Sequence, residues 1–165
     1  MPTRNPRATP AAQEAAALPL ARLMAMAFRT LIDELHAHLA RRGWQDVRPA
    51  YGYVLLAGRD GSITVTEVAA LLGMTKQAAS KLVEGMVQEG YLRRGDNPDD
   101  ARSKQLKLSA KGARLLAVVE SIYAEIEAEW AAIIGAPALE RMRADLTRVL
   151  RGLHDGGLPA IRPTW

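Results

Sequence analysis

The sequence predicts a mainly α-helical protein with a small β wing: a winged helix-turn-helix domain attached to a helical region built from the N- and C-terminal parts of the chain. Three observations carry that expectation. Ala and Leu are abundant, while aromatic residues make up only 5% of the 165 residues, a mix that favours helices. Apolar residues recur at spacings of three and four through most of the chain, as one helical face requires. The exception is the stretch 91–108, where two short segments flank a loop of Gly, Asp, Asn and Pro, the chemistry of a hairpin.

The elements follow in order. Residues 1–17 hold Pro, Arg and Ala without the apolar core of a secretory signal and read as a disordered lead-in. A first helix is expected over about 18–42, with Leu20, Met24, Ala27, Leu31, Leu35 and Leu39 on one face and Gly43 at its end. After a looser segment containing Trp44 and Arg48, a short helix is expected over Pro49–Ala57, with Pro at its first position and Gly58 beyond its last. Arg59-Asp60-Gly61 reads as a turn, and Ser62-Ile63-Thr64 as a very short strand. Thr64 and Glu67 have the spacing of a capping box, so a helix should start at Val65 and run to Leu72, with Gly73 stopping it.

Thr75 can cap the next helix, about Lys76–Glu89, whose buried stripe would be Ala79, Leu82, Val83, Met86 and Val87. Tyr91–Arg94 and Gln105–Leu108 form the two strands of the hairpin. Ser109 caps a long helix reaching about Ile134, with Leu115, Val119, Ile122, Ile126, Trp130 and Ile133 as its apolar positions. Gly135-Ala136-Pro137 breaks the chain, and a last helix, Ala138 to about Leu153, aligns Leu139, Met142, Leu146, Val149 and Leu153. Residues 155–165, rich in Gly and Pro, are expected to be a loose tail.

Composition removes several function classes. Without cysteine there are no disulfides, thiolate metal sites or thiol-based redox sensors. His36 and His38 are two apart on a helix, so they face different ways and cannot chelate a metal together. No Gly-rich phosphate loop, ligand cluster or nucleophile motif supports an enzyme, and no cofactor is expected. No run of about 18 apolar residues supports a transmembrane helix, so a cytoplasmic protein is expected.

Charge points to a partner. Between Thr75 and Arg114 lie nine basic residues and five acidic ones, an excess that equals the net charge of +4 of the whole chain. Concentrated positive charge suits a polyanion, nucleic acid first. Two short helices around Gly73 fit a helix-turn-helix, whose second helix enters the major groove N-terminus first. Thr75, Lys76, Gln77, Ser80 and Lys81 occupy its first turn and a half. Lys can meet phosphate or guanine, Gln can pair with adenine, and Ser and Thr can reach either. Arg102 and Lys104 stand on the hairpin loop, where an Arg can enter a narrow minor groove. Asp100 could brace that loop through a salt bridge or by accepting backbone N–H groups.

These residues together resemble the MarR-type regulators (multiple-antibiotic-resistance regulators). The resemblance is carried by Glu67 through Val83, Gly90-Tyr91-Leu92-Arg93-Arg94, Asp99 through Lys104, and Leu106-Lys107-Leu108-Ser109-Ala110-Lys111-Gly112, and with the flanking helices it covers roughly residues 18–154. It implies a winged helix domain over 49–108, a recognition helix at Lys76–Glu89, and Arg102 as the minor-groove residue. It also implies a dimerisation region formed by 18–48 and 109–154. The terminal helices agree, since their apolar surface exceeds what one small winged domain could cover. A two-fold dimer would read a pseudo-palindromic operator in double-stranded DNA.

The resemblance further implies a repressor released from DNA by a small aromatic or phenolic ligand bound between the two regions. His38, Trp44, Arg48, Tyr51 and Tyr123 are the expected pocket residues, with an Arg beside aromatics suited to an aromatic acid. The competing reading is a winged helix used for protein contacts without DNA binding; the basic wing and Lys76-Gln77 argue against it.

Overall fold

The computed structural model describes residues 18–95 and 105–161. Its elements run α1 (Leu20–Arg41), α2 (Pro49–Ala57), α3 (Val65–Leu72), α4 (Lys76–Gln88), β1 (Leu92–Gly95), β2 (Gln105–Leu108), α5 (Ala110–Ile134) and α6 (Ala136–Leu153). Among the described residues no helix is long and apolar enough to cross a membrane.

Local chemistry sets most boundaries. Thr64 and Glu67 form the capping box in full: the Glu67 N–H donates to Thr64 Oγ1 at 3.2 Å, and the Thr64 N–H donates to Glu67 Oε2 at 2.7 Å. Gly73 then ends α3 at φ +60°, a left-handed conformation that costs a Cβ-bearing residue roughly 1–2 kcal/mol. Thr75 caps α4 by accepting the Ala78 N–H at 3.2 Å. In the hairpin, β1 and β2 are antiparallel, and Leu92 lies opposite Leu108, Arg93 opposite Lys107, and Arg94 opposite Leu106.

Two expectations shift. The short strand expected at Ser62–Thr64 is a single bridge, Ile63 to Leu106, with reciprocal N–H···O bonds of 2.9 Å. The last helix starts at Ala136 rather than Ala138. Gly135, at φ +86°, makes the break alone, and Pro137 falls in the first turn of α6, where its missing N–H has no intrahelical partner to lose.

One core joins the elements. Tyr51, Val54 and Leu55 of α2, Val68 and Leu72 of α3, Val83 and Met86 of α4, Leu106 of β2, and Leu115, Ile122 and Ile126 of α5 are all buried. The apolar faces of the outer helices are only partly used. In α1, Ile32, Leu35 and Leu39 are buried, but Leu20 is 69% exposed. In α6 only Leu139 is buried, leaving Met142, Leu146, Val149 and Leu153 open to solvent, as is Ile133 near the end of α5.

The end of α4 is sewn to the start of α5. Ser109 caps α5 by accepting the Gly112 N–H at 3.0 Å, while its hydroxyl donates to the Gly90 carbonyl. Its own N–H donates to the Tyr91 carbonyl at 3.0 Å. Lys111 donates to the Glu89 carbonyl at 2.8 Å, near the C-terminus of α4, where a cation is favoured. Its ammonium also lies 4.3 Å from the centre of the Tyr91 ring. A Cβ added at Gly112 would stand 2.1 Å from the Tyr91 carbonyl oxygen, so only glycine lets the two backbones meet here. Further along, the Ile161 N–H donates to the Leu71 carbonyl at 2.7 Å, bringing the chain after α6 back against α3.

Candidate nucleic-acid interface

The outer face of α4 follows from its inner one. Ala79, Val83 and Met86 are buried against the core, which turns Lys76, Gln77, Lys81 and Glu84 outward, all four exposed. Thr75 is exposed with its side-chain oxygen engaged in the cap, and Ser80 is half-buried and donates to Glu84 Oε1 at 3.2 Å. The five expected α4 residues are therefore brought together at the N-terminal end of one helix. Lys76 and Lys81 have no carboxylate partner among the described residues. Asp100, Arg102 and Lys104 lie outside the described residues, as do 1–17 and 162–165.

The hairpin adds residues that sequence reasoning did not single out as site residues. Arg93 and Lys107 are cross-strand partners, alternating outward from the buried Leu92 and Leu106. Like charges directly opposite each other in a hairpin destabilise it, and neither is met by a carboxylate among the described residues. A polyanion laid along the hairpin would relieve that repulsion. Glu84 is the other addition: from the α4 face it can accept from the cytosine amino group and repels phosphate. Its signal was its spacing, four residues beyond Ser80 and three beyond Lys81.

The five expected pocket residues are not brought to one place. Tyr51 is fully buried, its hydroxyl donates to Glu89 Oε1 at 2.7 Å, and its ring meets that of Tyr91 edge-on at 5.5 Å. Burial first, and then the bond to Glu89, push its ionisation up to about 12. Arg48 lies 6.0 Å from the Tyr51 ring, and Trp44 lies 6.3 Å from the Tyr91 ring. His38 instead faces Glu125, Nδ1 to Oε2 at 3.4 Å. Arg42 holds the same carboxylate with bonds of 2.6 and 2.7 Å, and chiefly for that reason Glu125 is kept below the usual carboxylate range. Tyr123 alone of the five lines a cavity of about 630 Å³ between α2 and α5, together with Tyr53, Leu56, Arg59, Glu120 and Glu127. The crevice that Arg48 and Tyr123 share holds only about 10 Å³. No group of three or more potential metal ligands occurs among the described residues.

Residues 49–103, from the start of α2 into the wing, match the model of the MarR family. This segment, 55 of the 165 residues, is similar to that family. The MarR fold extends beyond that segment: the reduced form of MarR from E. coli superposes with a TM-score of 0.67 at 25% identity, over 81% of this chain and 97% of that one. A MepR mutant from S. aureus bound to an oligodeoxyribonucleotide superposes with a TM-score of 0.54 at 23% identity, over 83% of this chain and 99% of that one. In sequence, 98 residues are 32% identical to the exopolysaccharide II synthesis transcriptional activator ExpG of Rhizobium meliloti (strain 1021), covering 59% of this chain. The chain spans about half the length of the curated relatives it matches. It thus has the fold of a MarR-family transcription regulator, mainly helical with a two-stranded wing.

Proposed function

We propose that this protein is a sequence-specific DNA-binding regulator, a repressor of the MarR type that acts in the cytoplasm as a homodimer and is released from its operator by a small-molecule ligand. The observation that carries the reading is the outer face of α4, where Lys76, Gln77 and Lys81 stand exposed on a capped helix end with no described carboxylate neutralising the lysines. A helix N-terminus of that composition suits phosphate and base edges together. The opposed Arg93 and Lys107 of the wing support it.

Dimerisation is supported by the exposed apolar side chains of α1, α5 and α6, Leu20, Ile133, Leu146 and Val149 among them. Contiguous apolar surface on terminal helices marks an interface, and residues 18–48 with 109–154 would form it. Two-fold pairing sets half-sites about one turn, roughly 34–36 Å, apart. On this reading Arg102 and Lys104 extend the contact from the wing tip, with Asp100 bracing it.

Fluorescence anisotropy with DNA from upstream of the protein's own gene, run at several salt concentrations, tests the proposal. Specific binding whose affinity falls steeply with salt is expected. Gln77→Ala should relax sequence preference, whereas Lys81→Ala and Arg93→Ala should weaken binding evenly across sequences. Binding that is absent, or indifferent to salt, would favour the protein-contact module instead. A promoter fusion reads the sign of regulation: loss of the protein should raise expression, and a fall would make it an activator.

A further inference from the structure

The outward side of α4 carries a single acidic residue, Glu84, beside the cations that suit a polyanion. Gln77, Lys81 and Glu84 recur at spacings of four and three, so they share one face of the helix. All three are exposed, opposite the buried Ala79, Val83 and Met86. Glu84 therefore stands in the middle of the surface offered to DNA rather than at its rim. A carboxylate there opposes a polyanion unless it meets something other than phosphate.

Two local facts aim the group. Among the described residues no cation pairs with Glu84, and Lys81, three positions earlier, stays unpaired as well. The carboxylate is held instead by Ser80, whose hydroxyl donates to Oε1 at 3.2 Å. Ser80 lies one turn toward the N-terminus. Helical side chains lean in that direction, and that end of a recognition helix enters the major groove deepest. The bond thus draws the carboxylate toward the base edges and leaves Oε2 to accept.

Base chemistry decides the partner. An ionised carboxylate only accepts. In the major groove guanine offers two acceptors, thymine an acceptor and a methyl group, and adenine an acceptor beside its amino group. Cytosine alone offers a donor with no acceptor. Glu84 lies seven residues beyond Gln77, about 10.5 Å along the helix axis, which spans no more than about three base pairs.

We propose that Glu84 is a specificity-determining residue: positioned by Ser80, its carboxylate accepts from the amino group of a cytosine within about three base pairs of the adenine read by Gln77. The inference rests on the DNA-binding reading given above and adds part of the operator's sequence to it. Ser80 is on this account a positioning residue that acts through Glu84.

Selection from a random double-stranded DNA library by the full chain, with sequencing of the bound fraction, tests it. Half-sites enriched by the parent should carry cytosine at one position, preferred about fivefold or more over any other base. Glu84→Ala should level the bases at that position. Glu84→Gln should exchange the cytosine for adenine, because an amide both donates and accepts. Ser80→Ala should lower the cytosine preference by about threefold or more, and Ser80→Thr, which keeps the hydroxyl, should restore it. Glu84 is exposed, so its variants leave the core intact. A half-site unchanged by both Glu84 variants overturns the assignment, and a preference that Ser80→Ala leaves intact overturns the positioning by Ser80. Failure of the parent to retain any DNA at low salt is a different result: it refutes the DNA-binding reading itself, and this inference with it.

Discussion

Replacing Gly112 by Ala is the sharpest test of how the winged domain is fastened to α5. On propensity alone the change should help, since Ala is favoured over Gly in a helix by up to about 1 kcal/mol. The structure reverses that sign. The new Cβ would stand 2.1 Å from the Tyr91 carbonyl oxygen and 3.2 Å from Leu55 Cδ2. An ordinary contact needs at least 3.4 Å, so α5 and the strand must part by more than 1 Å. The obstructing atom is a backbone carbonyl that also accepts the Ser109 N–H, so no side chain can swing aside to absorb the shift.

Overpacking of this kind costs about 1–3 kcal/mol and occasionally more. With a rigid obstacle the upper end applies, and a net loss of about 2 kcal/mol remains after the propensity gain. Urea unfolding followed by tryptophan fluorescence should show a lower midpoint with an unchanged slope. Gly52→Ala is the control: nothing lies within 4 Å of its added Cβ in α2, so stability should hold or rise by up to about 1 kcal/mol. If Gly112→Ala were as stable as the parent at equal slope, the close approach of α5 to β1 would be wrong.

Three further outcomes follow from the same geometry. Tyr51→Phe removes the buried hydroxyl that donates to Glu89 and should cost about 1–2 kcal/mol in urea unfolding. Because the Tyr51 hydroxyl is raised to about 12, its contribution is full below the ordinary tyrosine value of about 10 and is lost as pH rises toward 12. The variant should therefore show a shallower alkaline limb, and an unmoved limb counts against the buried bond. Glu125 is shifted the other way by Arg42, so it stabilises above the ordinary glutamate range and loses that contribution as pH falls through its lowered value. Glu125→Gln should flatten the acid limb of thermal stability, and an identical limb removes the Arg42–Glu125 pair from the account. Leu146→Asp places a charge on the exposed face of α6; sedimentation should show a dimer becoming a monomer with operator affinity lost, and a dimer that persists excludes this face from the interface.

How far the sequence could be read depended on whether the relevant chemistry was local. The capping box at Thr64 and Glu67, the cap at Thr75 and the stop at Gly73 each involve residues within four positions of one another, and all were legible. The stripe Ala79, Val83 and Met86 was legible for the same reason, because a helix of 13 residues keeps its period. The nine residues of α2 were different. Pro-Ala-Tyr-Gly-Tyr-Val-Leu-Leu-Ala has no polar face, so periodicity cannot tell that Tyr51 faces the core and Tyr53 the cavity. Glu120 and Glu127 come opposite α2 only through tertiary packing, which no local pattern records. The juxtaposition of Arg93 and Lys107 depends on hairpin register, which the length of the intervening loop leaves open. Gly112 could be seen as part of a family pattern, yet its reason is a carbonyl 21 positions earlier in the chain.

The stitching of Ser109, Lys111 and Gly112 makes α5 a lever. Its 25 residues span about 37 Å at 1.5 Å each, with the wing and the end of α4 clamped at one tip and exposed apolar residues at the other. A tilt of about 5° over that length displaces the clamped tip by roughly 3 Å, nearly the 3.4 Å of helix axis per phosphate of one DNA strand. Whatever grips the far end of this rod can therefore shift α4 by about a base step only if the buried residues along it, Leu115, Ile122 and Ile126, repack or move with it.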